Sequence, residues 1–186
     1  AGFSWGIAEE VGKNMRLLEL YGLPGIKNLN KFLKNYKENQ FQKINLISDT
    51  NNANKHAFCP IILGTNFIDQ ISLLDKKNNI QISNVAFPIL FLPFVSRASE
   101  IIGKRIFLKF EEKEFLLNLN QSIYSNYLKN EVLEICNTIN ISFIENNNSF
   151  NENEWQELYK LSEDTFVEET ESLKIGAAGA GLTDND

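Results

Sequence analysis

The chain has 186 residues, of which 43% are hydrophobic and 23% are charged, and its formal net charge at pH 7 is −6. This length and composition are typical of one globular domain with one core, and they exclude a disordered or fibrous protein. The acidic balance argues against a nucleic-acid partner, because binding to phosphates needs a basic surface. No apolar run reaches the roughly 18 residues that span a bilayer, so no membrane partner is expected.

The counts of Asn, Lys and Cys indicate where the protein is located and which polar residues are candidates for a functional site. The chain has 25 Asn, and it has 15 Lys against three Arg, a bias that AT-rich codons impose. Runs of Asn are therefore expected to be loops rather than sites. The two cysteines, Cys59 and Cys136, lie far apart and follow no zinc-site spacing, so we expect a reducing, cytoplasmic location and no bound metal.

The N-terminal segment predicts a helical hairpin. Ser4 is expected to cap a first helix, and Gly22 is expected to end it. Its apolar residues recur at the spacing of a buried stripe: Ile7, Val11, Met15 and Leu18. Pro24 is expected to be the first residue of a second helix. The apolar face of that helix comprises Leu29, Phe32, Leu33 and Tyr36.

The next segment, residues 38–55, is polar and predicts a loop with one weak strand around residues 44–47. A third helix is expected over residues 61–74, with its apolar residues on one face. Gly64 lies inside this helix, where Gly costs about 1 kcal/mol relative to Ala. Close packing or the approach of a ligand would account for it.

The middle of the chain predicts most of the strands. The apolar run 85–92 is typical of a strand buried on both faces, and residues 94–102 predict a helix that ends at Gly103. Residues 106–108 and 115–117 flank a charged tip and indicate a β-hairpin. Residues 135–143 alternate in polarity and predict a further strand, and a last helix is expected to begin at Asn151.

These elements predict an α+β fold, with a mostly antiparallel central sheet of four to five strands and helices at both ends of the chain. Residues 1–186 are expected to form a single domain, and residues 176–186 a Gly-rich acidic tail. The tail is rich in Gly and Ala, so the bias toward AT-rich codons does not explain its composition. Glycines allow backbone N–H groups to form an anion-binding nest, and Asp184 and Asp186 are candidates for cation coordination or for capping a partner's helix. The alternative is a flexible or tightly packed C-terminus.

Few residues outside the tail are candidates for chemistry, and no cofactor is indicated. Glu9 and Glu10 are either an acid–base pair in a cleft or solvated carboxylates on a helix surface. Cys59 follows His56 at a spacing that allows two metal ligands or a Cys–His nucleophile, whereas a lone His in a polar loop is otherwise simply exposed. Arg97 either holds a ligand carboxylate or pairs structurally with Glu100 or with the tail.

Several segments together resemble the bacterial family catalogued as domain of unknown function 3726. They are SWGIAEEVGKNMR, YGLPG, CPIILGTNFID, the segment from FPILFLPF to SRAS, and the closing GAAGAGLTDND. The positions that match its motif are Trp5, Gly6, Glu9, Glu10, Gly22, Pro24, Gly25, Cys59, Pro60, Gly64, Asp69, Arg97, Gly179, Gly181, Thr183, Asp184 and Asp186. The resemblance implies a small cytoplasmic bacterial protein with no established activity. It also implies that residues 1–3 follow a missing N-terminal helix.

A fainter resemblance exists to the malate/lactate dehydrogenase family outside the Rossmann group, which shares a helical hairpin followed by a glycine turn. That family's turn carries a histidine, whereas this turn reads Leu23-Pro24-Gly25, so its catalytic role does not transfer.

Two functional hypotheses follow from these observations. The first is a small-molecule binding, enzyme-like domain that holds an anionic ligand. Its catalytic candidates are Glu9, Glu10 and Cys59, and its ligand-binding candidates are Arg97, Gly179, Gly181, Thr183, Asp184 and Asp186. The alternative is a non-catalytic accessory subunit or homo-oligomeric interaction module.

Overall fold

The structure is a computed structural model that describes residues 2–36, 40–127, 131–147 and 149–165. The chain divides into two compact units, Ala1–Asn146 and Asn147–Asp186. In the described part of the first unit the helices are α1 (Trp5–Leu20), α2 (Gly25–Asn35), α3 (Pro60–Leu74) and α4 (Leu92–Ile102). The strands are β1 (Thr50–Asn51), β2 (Asn79–Ala86), β3 (Arg105–Phe110), β4 (Lys113–Asn118), β5 (Ser122–Ser125) and β6 (Ile135–Ile144).

The six strands form one sheet in the order β1-β2-β6-β3-β4-β5. Every neighbouring pair is antiparallel except β1 and β2, which are parallel. Together with the helices at both ends of the chain, this mixed but mostly antiparallel sheet confirms the α+β class. The sheet has more strands than the four to five expected, because β1 and β5 are short and carry little apolar signal.

The helical hairpin is confirmed, and glycine determines its turn. Gly22 has φ +70°, a left-handed conformation that residues with a side chain rarely adopt. Gly22 N–H donates to the Glu19 carbonyl, and Leu23 N–H donates to the Leu18 carbonyl at 2.8 Å. These two bonds form a Schellman motif, which ends α1. The second helix begins at Gly25, one residue later than expected.

The predicted strand over residues 85–92 is wrong. The strand β2 ends at Ala86, Phe87 is left-handed with φ +42°, and a 3-10 helix, Pro88–Phe91, leads directly into α4. All of Pro88–Phe91 is buried, so the continuous apolar run reflects burial on every side rather than an extended backbone. The weak strand expected around residues 44–47 is likewise coil, and the short β1 lies a few residues later.

The described part of the second unit contains one helix, α5 (Glu152–Glu163). The helix begins one residue later than expected, because Asn151 caps it: its side chain accepts from Glu154 N–H at 2.9 Å, and the Glu154 carboxylate accepts from Asn151 N–H at 2.8 Å. This reciprocal pair is a capping box. Residues 166–186, which include the tail, lie outside the described residues. Among the described residues, no helix is both long and apolar enough to cross a lipid bilayer.

Close packing accounts for the glycine in α3. A Cβ atom built on Gly64 would lie 2.3 Å from two ring carbons of Phe94 in α4, and Phe94 is almost fully buried. The two helices therefore approach as closely as they do because residue 64 has no side chain.

We predict that Gly64→Ala lowers the free energy of unfolding by about 1 to 3 kcal/mol, because the overlap with the buried Phe94 ring outweighs the gain in helix propensity. The matched control is Gly12→Ala in α1, where a Cβ atom would meet nothing within 4 Å. There the same substitution should raise stability by about 0.5 to 1 kcal/mol. Chemical denaturation of both variants measures the two effects, and a stabilising Gly64→Ala would contradict the packing argument.

Candidate functional site

A groove of about 270 Å³ lies between α1 and α4, and we call it the α1–α4 groove. Its lining residues come from α1, from α4 and from the turn after β4: Glu10, Lys13, Asn14, Arg16, Leu17, Leu20, Pro93, Arg97 and Asn120. Most of the α1 residues recur at intervals of three or four, so they share one face of that helix. The groove therefore combines three cationic side chains, one carboxylate, two amides and three apolar side chains.

An ion pair connects the two helices in this groove. Arg97 Nη1 donates to Glu10 Oε1 at 2.6 Å, which joins residues 87 positions apart in the sequence. The Glu10 side chain is 23% exposed and that of Arg97 is 49% exposed. A pair this accessible to water contributes about 0 to 1 kcal/mol to stability. The pair therefore adds little to the stability of the fold, and its location in a groove makes it a candidate for ligand binding instead.

Asn14 is a buried polar residue in the wall of the groove. It is 5% exposed, and its Nδ2 has no hydrogen-bond partner among the residues that the structure describes. A buried donor without an acceptor costs about 1 to 3 kcal/mol. Two buried oxygens, Asn28 Oδ1 and Asp75 Oδ1, also lack a hydrogen-bond partner among the described residues, but neither residue lines the groove.

Asn120 reaches the groove from a strained turn between β4 and β5. Leu119 and Asn120 have φ +50° and +58°, and Gln121 N–H donates to the Asn118 carbonyl at 2.9 Å. Positive φ at both central residues is the pattern of a type I′ turn, which Asn tolerates better than Leu does.

Contacts from two helical segments fix the orientation of Asn120. Its Oδ1 accepts from Ser96 Oγ at 3.1 Å, and its Nδ2 donates to Glu100 Oε2 at 3.1 Å. The hydroxyl of Tyr21, just after α1, donates to the Asn120 carbonyl at 3.0 Å. This corner of the groove is therefore held from α4 and from the end of α1.

The structure brings together only some of the residues singled out from the sequence. Glu10 and Arg97 meet, and the partner of Arg97 is Glu10 rather than Glu100, which bonds to Asn120 instead. Glu9 lies outside the groove and pairs with Lys13 at 3.0 Å. The tail candidates lie outside the described residues: Gly179, Gly181, Thr183, Asp184 and Asp186.

Cys59 precedes α3 and is a buried free thiol, and Cys136 is buried and free as well. Burial raises the pKa of the Cys59 thiol, although backbone N–H groups of Ile62 and Ile61 oppose this effect. Burial also raises the pKa of Cys136, to about 11. Both sulfurs are therefore protonated at neutral pH, the less nucleophilic form. His56 is exposed, and the described residues hold no group of three His, Cys, Asp or Glu suited to a metal ion.

Sequence reasoning did not find the two amides of the groove. The burial of Asn14 could have been predicted, because this polar residue lies between Val11 and Leu18 on the buried face of α1. The position of Asn120 could not have been predicted, since it depends on the register of β4 and β5 and on the packing of α4 against that turn.

A family model matches the N-terminal part of the chain. Residues 1–59 match the family described as Protein of unknown function (DUF3726). The resemblance to this family is confirmed over that segment. Neither a curated protein nor a solved structure matches the chain. The fainter resemblance to the malate/lactate dehydrogenase family stays a prediction. The matched segment contains the α1 wall of the groove but neither Arg97 nor Asn120.

We predict that Asn14→Leu raises the free energy of unfolding by about 1 to 3 kcal/mol, because it replaces an unpaired buried amide by an apolar side chain of similar shape. Thermal and chemical denaturation of the unliganded protein measure this change. Asn30→Leu, on α2 and outside the α1–α4 groove, is the control for the intrinsic helix preference of Leu over Asn. A destabilised Asn14→Leu would show that the amide has a structural partner.

Proposed function

We propose that the protein binds a small anionic molecule in the α1–α4 groove, with the guanidinium of Arg97 as its main anchor. The observation that carries this proposal is the group of cationic side chains, Lys13, Arg16 and Arg97, that line one groove with a single carboxylate, Glu10. A carboxylate or phosphate oxygen accepts charge-assisted hydrogen bonds from guanidinium and ammonium groups.

The local charge supports an anion. Lys13, Arg16 and Arg97 line the groove with one carboxylate, Glu10, although the whole chain has a net charge of −6. Glu9 pairs with Lys13 and Glu10 pairs with Arg97, so the charge of Arg16 is the excess. A cationic groove on an acidic protein attracts anions from solution. Glu10 occupies Nη1 of Arg97 in the unliganded protein, and a ligand carboxylate would take its place.

The size and the apolar residues of the groove limit the ligand. Binding pockets for small molecules commonly range from about 300 to 1,000 Å³, and at about 270 Å³ this groove is slightly smaller than that range. Leu17, Leu20 and Pro93 give it apolar surface, which a purely inorganic ion would not use. A small organic acid fits these properties better than a nucleotide does.

We expect one or more members of a panel of acetate, succinate, 4-methylpentanoate and inorganic phosphate to raise the melting temperature of the full chain. Arg97→Gln should weaken that binding by about 10- to 100-fold, because it removes charge-assisted hydrogen bonds worth about 1.5 to 3 kcal/mol. Arg105→Gln, which removes the same charge from β3 outside the groove, should leave binding unchanged. Equal effects of the two substitutions would reject the site.

The second candidate function is an interaction module, and the exposed residues of α5 favour it. Trp155, Leu158, Tyr159 and Leu161 are all about half exposed or more. Their spacing places them on one broad side of the helix. Because most homo-oligomers are symmetric and use the same patch on both copies, we propose a second copy of the chain as the partner of this side of α5.

For this candidate, light scattering of the full chain should give the mass of a dimer, and Leu158→Glu should shift it to the monomer by placing a charge in the apolar contact. Gln156→Glu adds the same charge at a position off this apolar side of α5 and should leave the mass unchanged. A monomer at every concentration would remove this candidate and would leave the groove unaffected.

A further inference from the structure

The α1–α4 groove holds charges of both signs at the point where its two helices meet. Glu10 and Arg97 neutralise each other there at 2.6 Å. A ligand that is only an anion takes Arg97 from Glu10 and leaves two negative charges side by side. Such like-charge contacts weaken binding, more so where water is partly excluded. The Glu10 carboxylate thus makes a simple anion bind more weakly than an anion that also carries a positive charge.

A ligand with an ammonium group next to its carboxylate avoids this conflict. Its carboxylate accepts from Arg97, and its ammonium donates to the Glu10 carboxylate. An ammonium has three donors and no acceptor, so the oxygens of Glu10 match it, whereas the guanidinium of Arg97 has only donors and matches the ligand carboxylate. The carboxylate and the ammonium of the ligand then pair with the two protein charges that the ligand has separated. Arg97 and Glu10 are neighbours in the groove, so one head group that carries both charges can reach both of them.

The apolar residues and the volume of the groove indicate what kind of side chain the ligand carries. Leu17, Leu20 and Pro93 offer apolar contact beside the charged end. A volume of about 270 Å³ leaves room for a short side chain and not for a peptide or nucleotide. A short aliphatic side chain fits this space and its polarity.

We infer that the α1–α4 groove binds a free α-amino acid with an aliphatic side chain, and this inference rests on the proposed anion-binding function of the same groove. Arg97 holds the carboxylate of the amino acid, Glu10 holds its ammonium group, and the leucines of α1 contact its side chain.

The test compares leucine with two analogues that each lack one charge. Calorimetric titration of the full chain at neutral pH uses leucine, 4-methylpentanoate, which lacks the ammonium, and 3-methylbutylamine, which lacks the carboxylate. We expect leucine to bind about tenfold or more tightly than either analogue, since each charged contact contributes a factor of this order.

Two carboxylate substitutions sharpen the test. Glu10→Gln should weaken leucine binding by about tenfold or more and should leave 4-methylpentanoate binding equal or tighter, because the competing charge is gone. Glu19→Gln is the matched control, since Glu19 is a carboxylate on α1 outside the groove, and a Gln oxygen can still accept from Ile26 N–H. It should change leucine affinity by less than about twofold.

The outcomes separate the inference from the proposed function. If 4-methylpentanoate binds as tightly as leucine and Glu10→Gln does not weaken leucine binding, the groove binds anions and the amino-acid inference is overturned. If neither leucine nor 4-methylpentanoate binds, or if Arg97→Gln does not weaken the binding of these two compounds, the anion site itself is rejected together with the inference.

Discussion

The contact between Phe94 and Gly64 sets the position of α4, and the α1–α4 groove depends on that position. The ring of Phe94 occupies the space where any side chain at residue 64 would lie. The same helix carries Pro93 and Arg97 into the groove and Ser96 to the turn at Asn120. Protein interiors are close-packed and transmit displacements. A shift of α4 away from α3 would therefore move Arg97 relative to Glu10. The geometry of the site is thus determined by a core contact that no ligand touches.

The turn at Asn120 shows how the rest of the groove is stabilised. A left-handed conformation costs a residue such as Leu119 about 1 to 2 kcal/mol, so the turn needs compensation. The side chain and the carbonyl of Asn120 supply it through bonds to Ser96, Glu100 and Tyr21. These bonds link the sheet, α4 and the end of α1 around one residue. The groove is consequently bounded by elements that hold one another in place before any ligand arrives.

The helices could be predicted from the sequence because their signal is local. The apolar spacing of α1, the Asn151 cap of α5 and the glycine turn after α1 each lie within a few residues. The run 85–92 could not be assigned in this way, since burial on every side removes the periodicity that separates a strand from a 3-10 helix. The strand β5 was missed because four residues with two serines carry almost no pattern.

The candidate site was predictable only in part, for a related reason. Glu10 and Arg97 could be singled out as charged residues near apolar segments, but their pairing depends on tertiary packing between helices 87 residues apart. Asn14 shows most clearly what this packing does. The ion pair adds little stability at its exposure, and the unpaired amide costs stability. Selection for folding alone favours an apolar residue at position 14 and is nearly indifferent to the ion pair, so folding stability accounts for neither the amide nor the pair.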